Sequence, residues 1–173
     1  MMKFTYFTVI LVTILFLAVY IIGYMAQPNY ASSIEFSLES TPAFIWQQVL
    51  AISTIPKLKT DVESVDIVAR SGERVAWREN LSNGGYRLYR ITDFVQEKRL
   101  GIELLESSYG LTGVWIIELE PQQTKTNIIL SEKSTLTNIF IRGMRTILGR
   151  NHDLFVWSKY IRVGAIQKLL ITP

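Results

Sequence analysis

The chain has 173 residues, 49% apolar and 19% charged, with a net charge of +3 and no cysteine. That length suits one domain with or without a tail. A charge so near neutrality gives no electrostatic ground for nucleic-acid binding, and the missing thiols exclude disulfides, thiolate metal sites and cysteine nucleophiles.

Mean hydropathy is +0.22, high for a soluble domain, and the excess lies at the N-terminus. Phe4 to Met25 is 22 residues without a charged side chain. As a helix it spans ~33 Å, enough to cross a bilayer core of ~30 Å. The apolar region of a cleaved signal peptide is usually shorter, about 7–15 residues, and Gly23-Tyr24-Met25-Ala26-Gln27-Pro28 lacks its pair of small residues. Residues 1–26 are therefore expected to be a transmembrane anchor, with 4–25 in the lipid bilayer. Lys3 precedes the span and no Lys or Arg follows until Lys57. The positive-inside rule then predicts a cytoplasmic N-terminus and an extracytoplasmic domain, in a bacterium on the periplasmic side of the inner membrane.

Residues 27–33 read as a short linker and 34–171 as the domain. Ser33 to Glu39 alternates polar and apolar residues, as a half-buried strand does. Ser40-Thr41-Pro42 supplies an N-cap and a first-turn proline for a helix over Pro42–Leu50. Ile52 to Lys59, with Pro56, reads as a second short helix or turn. Six strands follow: 62–69, 73–81, 86–94, 98–105, 112–120 and 125–133. Ser82-Asn83-Gly84-Gly85 is a strong hairpin signal, since Asn and Gly accept positive φ. The even spacing argues for an antiparallel meander rather than βαβ units.

The end of the chain reads as helical. Thr137–Leu148 is closed by Gly149, and Asn151 caps a last helix of about twenty residues whose Leu154, Trp157, Ile161, Gly164 and Ala165 share one arc. The predicted class is α+β: an antiparallel sheet of about seven strands, curved around a long C-terminal helix, with two short helices after the first strand. From Lys133 onward seven cations face one acid, Asp153. Either these are ordinary solvated helix faces, or Arg142, Arg145 and Arg150 meet anionic lipid headgroups.

This element order resembles that of the START-like, or helix-grip, superfamily, which includes polyketide cyclase/dehydrase-like and lipid-transfer proteins. The resemblance covers about residues 31–171. It rests on Ile34-Glu35-Phe36 followed by Thr41-Pro42-Ala43-Phe44-Ile45-Trp46-Gln47-Gln48-Val49-Leu50, and on Thr112-Gly113-Val114-Trp115-Ile116-Ile117-Glu118-Leu119-Glu120-Pro121. It implies an apolar pocket between the sheet and the last helix.

Chemistry has few carriers. The single histidine, His152, stands between Asn151 and Asp153, but helix capping explains those neighbours. No phosphate-binding glycine loop, dinucleotide fingerprint or zinc motif is present in the sequence, so no cofactor or metal is expected. Glu79 shares strand parity with Val75 and Trp77, and Asp93 with Tyr89 and Ile91. Each carboxylate is a weak candidate for a general base or a ligand contact; the bland readings are a strand-end carboxylate in water or a salt bridge to Arg87 or Arg90. Trp46, Trp77, Tyr89, Trp115, Trp157 and Ile161 can converge on one interior, and the small Gly164 and Ala165 either let the sheet approach closely or leave room for a guest. The expected function is a membrane-anchored binding protein for an apolar or lipid-like molecule. The alternatives are a cyclase- or hydrolase-type enzyme using a cavity carboxylate, and an interaction domain with a filled core. Asn80-Leu81-Ser82 also matches a glycosylation sequon.

Overall fold

The computed structural model describes residues 2–72, 74–149 and 157–162. Helix α1 (Met2–Met25) leads through three residues into strand β1 (Asn29–Leu38). Thr41 caps α2 (Pro42–Leu50), its side chain accepting a bond from the Phe44 amide, and Pro42 sits in the first turn, where a missing N–H leaves nothing unpaired. A 3-10 turn (Ile52–Thr54) and the one-turn α3 (Ile55–Leu58) precede β2 (Val62–Ser71), β3 (Arg74–Leu81), β4 (Tyr86–Val95), β5 (Arg99–Ser107), β6 (Leu111–Pro121) and β7 (Thr126–Leu136). Then comes α4 (Ile139–Leu148), and residues 157–162 are again helical.

The seven strands form one antiparallel sheet in the order β1-β7-β6-β5-β4-β3-β2. The meander runs from β2 to β7, and β1 returns to pair with β7, leaving β1 and β2 as the edges. At the β3–β4 hairpin Gly84 takes a φ of 82°. Its amide bonds the Leu81 carbonyl at 2.9 Å, while the Leu81 amide bonds Gly85 at 2.8 Å. β2 carries two bulges against β3, at Val62/Ser64 and Ile67/Ala69.

One face of the sheet is the core. Ile102, Leu104, Trp115, Ile117, Ile128 and Leu130 at its centre are each at most 2% exposed, and burial of such side chains is worth about 1.5–3 kcal/mol apiece. Ile45, Trp46 and Val49 of α2 join this cluster, as do Trp157, Tyr160 and Ile161 from the last described segment.

Several boundaries differ from the sequence reading. β1 begins at Asn29, so most of the expected linker is strand: Asn29 to Ser33 pair with Thr135 to Ser131. Polar residues such as these read as linker by composition, yet the exposed edge of β7 offers their backbone a full ladder. α4 starts two residues later than expected, because Asn138 is its cap and accepts from the Ile141 amide. Of the helix expected from Asn151, only 157–162 fall within the described residues.

α4 packs on α1 by a backbone contact. A methyl group on Gly23 would lie 1.9 Å from the Ile139 carbonyl oxygen, and one on Gly143 would lie 2.1 Å from that of Val19. Phe16 and Phe140 stack with centroids 5.3 Å apart. Arg142 Nε donates to the Gly23 carbonyl at 2.6 Å, one of the acceptors that the C-terminal end of a helix leaves open. Gly143→Leu is accordingly expected to part the two helices. Hydrogen exchange on the full chain in detergent should show faster exchange in α4 with β5 and β6 unchanged; unaltered protection of α4 would count against the contact.

Candidate functional site

The sheet's inward face carries an aromatic cluster around a buried charge pair. Trp77 of β3 stands opposite Tyr89 of β4 in register, and their rings stack at 5.2 Å. Trp157 meets Tyr89 edge-on at 6.4 Å and Tyr160 at 5.8 Å. On the α2 side, Trp46 meets Phe94 edge-on at 5.1 Å.

Glu79 is inward on β3, as its parity predicted, and is 0% exposed. Its partner was not evident from the sequence. Lys59, the residue that ends α3, folds under the sheet and donates to Glu79 Oε1 at 3.0 Å. Lys59 Nζ also lies 4.3 Å from the Trp157 ring centroid and 5.6 Å from that of Tyr160. Arg87 bonds Glu79 Oε2 at 3.4 Å and Asp61 Oδ2 at 2.9 Å, carrying the network out to the surface. Burial works against the Arg87 charge, but Tyr89, Glu79 and Asp61 outweigh it and hold the guanidinium above its ordinary range. Of the two arginines named from the sequence, Arg87 does pair with Glu79, whereas Arg90 pairs with Glu103 at 2.7 Å. The one available hint of Lys59 was an inward carboxylate that needed a cation.

Asp93 does not join the cluster. A bulge falls between Ile91 and Asp93, and one extra residue reverses the alternation beyond it. Phe94 takes the inward position; the Asp93 side chain is 44% exposed and bonds Arg99 at 2.9 Å.

A second buried pair stands on β7. Arg145 of α4 is 6% exposed, and its Nη2 donates to Glu132 at 2.6 Å. Its Nη1 donates to Ser134 at 3.2 Å, and its guanidinium lies 4.1 Å from the Tyr30 ring centroid. This corrects the expectation that Arg145 meets lipid headgroups: Glu132 is inward and 1% exposed, and a buried carboxylate demands a cation more strongly than a solvated one. Arg142 is likewise engaged with protein carbonyls. Arg150, His152, Gly164 and Ala165 lie outside the described residues. Trp46, Trp77, Tyr89, Trp115, Trp157 and Ile161 are all buried in one cluster. Among the described residues, the Nε1 atoms of Trp77 and Trp115 are buried without a hydrogen-bond partner.

No protein-family model and no curated protein matches the chain. Solved structures do. The Zhui aromatase/cyclase from a Streptomyces species superposes with a TM-score of 0.69 at 8% identity, over 82% of this chain and 96% of that one. A START superfamily protein from Mycobacterium smegmatis gives 0.63 at 12% identity, over 80% and 98%.

The fold is START-like.

A norcoclaurine synthase variant from Thalictrum flavum shares it, at a TM-score of 0.62 and 12% identity over 83% of this chain and 98% of that one. In this START-like domain the Lys59–Glu79 pair lies on the inward face, beside the rings contributed by residues 157–162.

Removing one partner of a buried pair leaves the other uncompensated. Glu79→Gln is expected to lower unfolding stability by about 3–5 kcal/mol, with much of the loss recovered in Lys59→Met/Glu79→Leu. Denaturant titration of the full chain measures both, and additive losses would argue against the pairing. Burial also pushes the Tyr160 phenol up to about 12, opposed by a hydrogen bond with Thr54 and aided by Glu79. Stability from the neutral phenol is complete below its ordinary value of 10.0 and disappears as pH rises through about 12. Over that interval the parent chain should lose more stability than Tyr160→Phe, and parallel losses would show that Tyr160 is not the group responsible.

Proposed function

We propose that this is a membrane-anchored START-like domain that holds an apolar or lipid-like molecule between the inward face of its sheet and its C-terminal helix. The observation that carries this reading is the aromatic cluster of Trp77, Tyr89, Trp157 and Tyr160 around a buried Lys59–Glu79 pair. These four rings are each at most 5% exposed, so a guest would occupy space opened between them and the C-terminal segment, where it would meet apolar walls and one fixed polar point, the combination that small-molecule sites use for affinity and orientation. Two buried indole donors support it further. An unmet N–H costs about 1–3 kcal/mol, and an acceptor on a bound molecule would meet it. Both Glu79 oxygens are already bonded to cations, which favours an orienting role over proton transfer.

In this reading α1 is the anchor. Its segment Tyr6–Met25 is long and apolar enough to cross a membrane, and only 6% of its most apolar stretch is buried. The flanking Lys3 orients the domain to the extracytoplasmic side.

Native mass spectrometry of the full chain released from a mild detergent tests the binding. The expected result is a non-peptide mass at one per chain, removed by organic extraction and reduced several-fold in Lys59→Met. A folded parent chain that is always bare would overturn it. A reporter fused after Pro173 tests the topology: activity on the cytoplasmic side would reverse the orientation without touching the ligand reading.

A further inference from the structure

α4 is amphipathic the wrong way round for a helix on a soluble domain. Its polar arc carries Arg142 and Arg145, and both turn toward protein: Arg145 to Glu132 and Ser134, Arg142 to the carbonyls of Gly23 and Leu136. Its apolar residues are not in the core. Only Gly143 and Arg145 of this helix are buried, while Ile147 and Leu148 are 55% and 62% exposed. An amphipathic helix of a soluble domain hides its apolar stripe and shows its charges.

What lies beside the uncovered side is α1. Phe140 stacks on Phe16, and Gly143 touches the backbone at Val19 and Gly23, so the apolar surfaces of the two helices are continuous. Phe16 is nine residues before the end of α1, or about 13 Å at ~1.5 Å per residue, within the half of a ~30 Å bilayer core nearer the domain.

We propose that α4 is itself inserted in the membrane, lying with α1 in the leaflet nearest the domain. Its apolar arc meets acyl chains, and its arginine arc is held to the sheet by Glu132. The inference rests on the reading of α1 as a membrane anchor. The occupant of the exposed face is lipid, because that face continues the surface of a helix already suited to lipid and carries no exposed charge that would recognise a soluble partner. A single span would leave the domain free to swing on a three-residue joint. A second inserted helix, pinned to β7 through Arg145, fixes the β1–β7 end of the sheet at the bilayer surface.

The absence of native cysteine makes single-site labelling direct. Ile147→Cys and Leu148→Cys, each carrying a polarity-sensitive fluorophore, are compared with Val9→Cys in α1 and Val68→Cys on β2, all in the full chain in phosphatidylcholine vesicles. The proposal expects labels at 9, 147 and 148 to lose emission to bromine-bearing acyl chains and to resist aqueous iodide, with the reverse at 68. Iodide quenching at 147 and 148 while 9 remains in lipid would overturn the α4 proposal and leave the anchor standing. Iodide quenching at 9 would overturn both. Protection of 147 and 148 from both quenchers would overturn it in favour of a second copy of the chain covering the same face.

Discussion

Glu79 is sealed from water on an apolar face, so its charge must be met from inside, and the arrangement of the neighbouring elements follows from that requirement. Lys59 reaches it only because the Ile55–Leu58 turn ends where the chain bends under the sheet. Trp157 and Tyr160 then pack over the ammonium, contributing ring faces as well as apolar area. The Glu132–Arg145 pair repeats the device on the other side. Each carboxylate stands on the strand next to an edge, β3 or β7, and each cation comes from a segment outside the sheet, Lys59 at the end of α3 and Arg145 on α4. Buried pairs of this kind add little net stability over apolar residues of the same shape. What they do here is fix where α3 and α4 must sit, because any other placement strands a charge.

The sequence revealed the fold to a large extent because its signals were local and repeated. Strand alternation, the Asn83-Gly84-Gly85 turn, the Thr41-Pro42 cap and the long uncharged N-terminus each depend on neighbours within a few residues. The misjudged positions depended on partners far away. Asn29 to Ser33 lie in the stretch read as linker and become strand only because β7 lies alongside. Asp93 obeys strand parity as written, and a single extra residue at the bulge turns it out and Phe94 in. Lys59 carried no signal beyond its place at the end of a proline-containing turn, and Arg145 looked like one of several cations on a basic tail. Both are decided by carboxylates twenty and thirteen positions away. Glu79 was legible because strand parity alone decides its face.

The solved structures share the frame and little of the sequence. At 8–12% identity, the superposition extends over 80–83% of this chain. The buried polar groups of this chain's inward face include two carboxylate–cation pairs and the indole donors of Trp77 and Trp115.

β2 has a further consequence. Among the described residues β2 is a sheet edge with no strand on its outer side, beside the exposed Ile67 and Val68, the profile of a strand that templates another chain. The bulge between Ile67 and Ala69 breaks the flat repeat at Val68, and Asp66 and Arg70 place charges on either side. A copy approaching edge to edge would meet a twisted rail with charged sleepers rather than an open ladder. The irregularity that weakens β2 as a strand is of the kind that blunts an exposed edge against pairing with another chain.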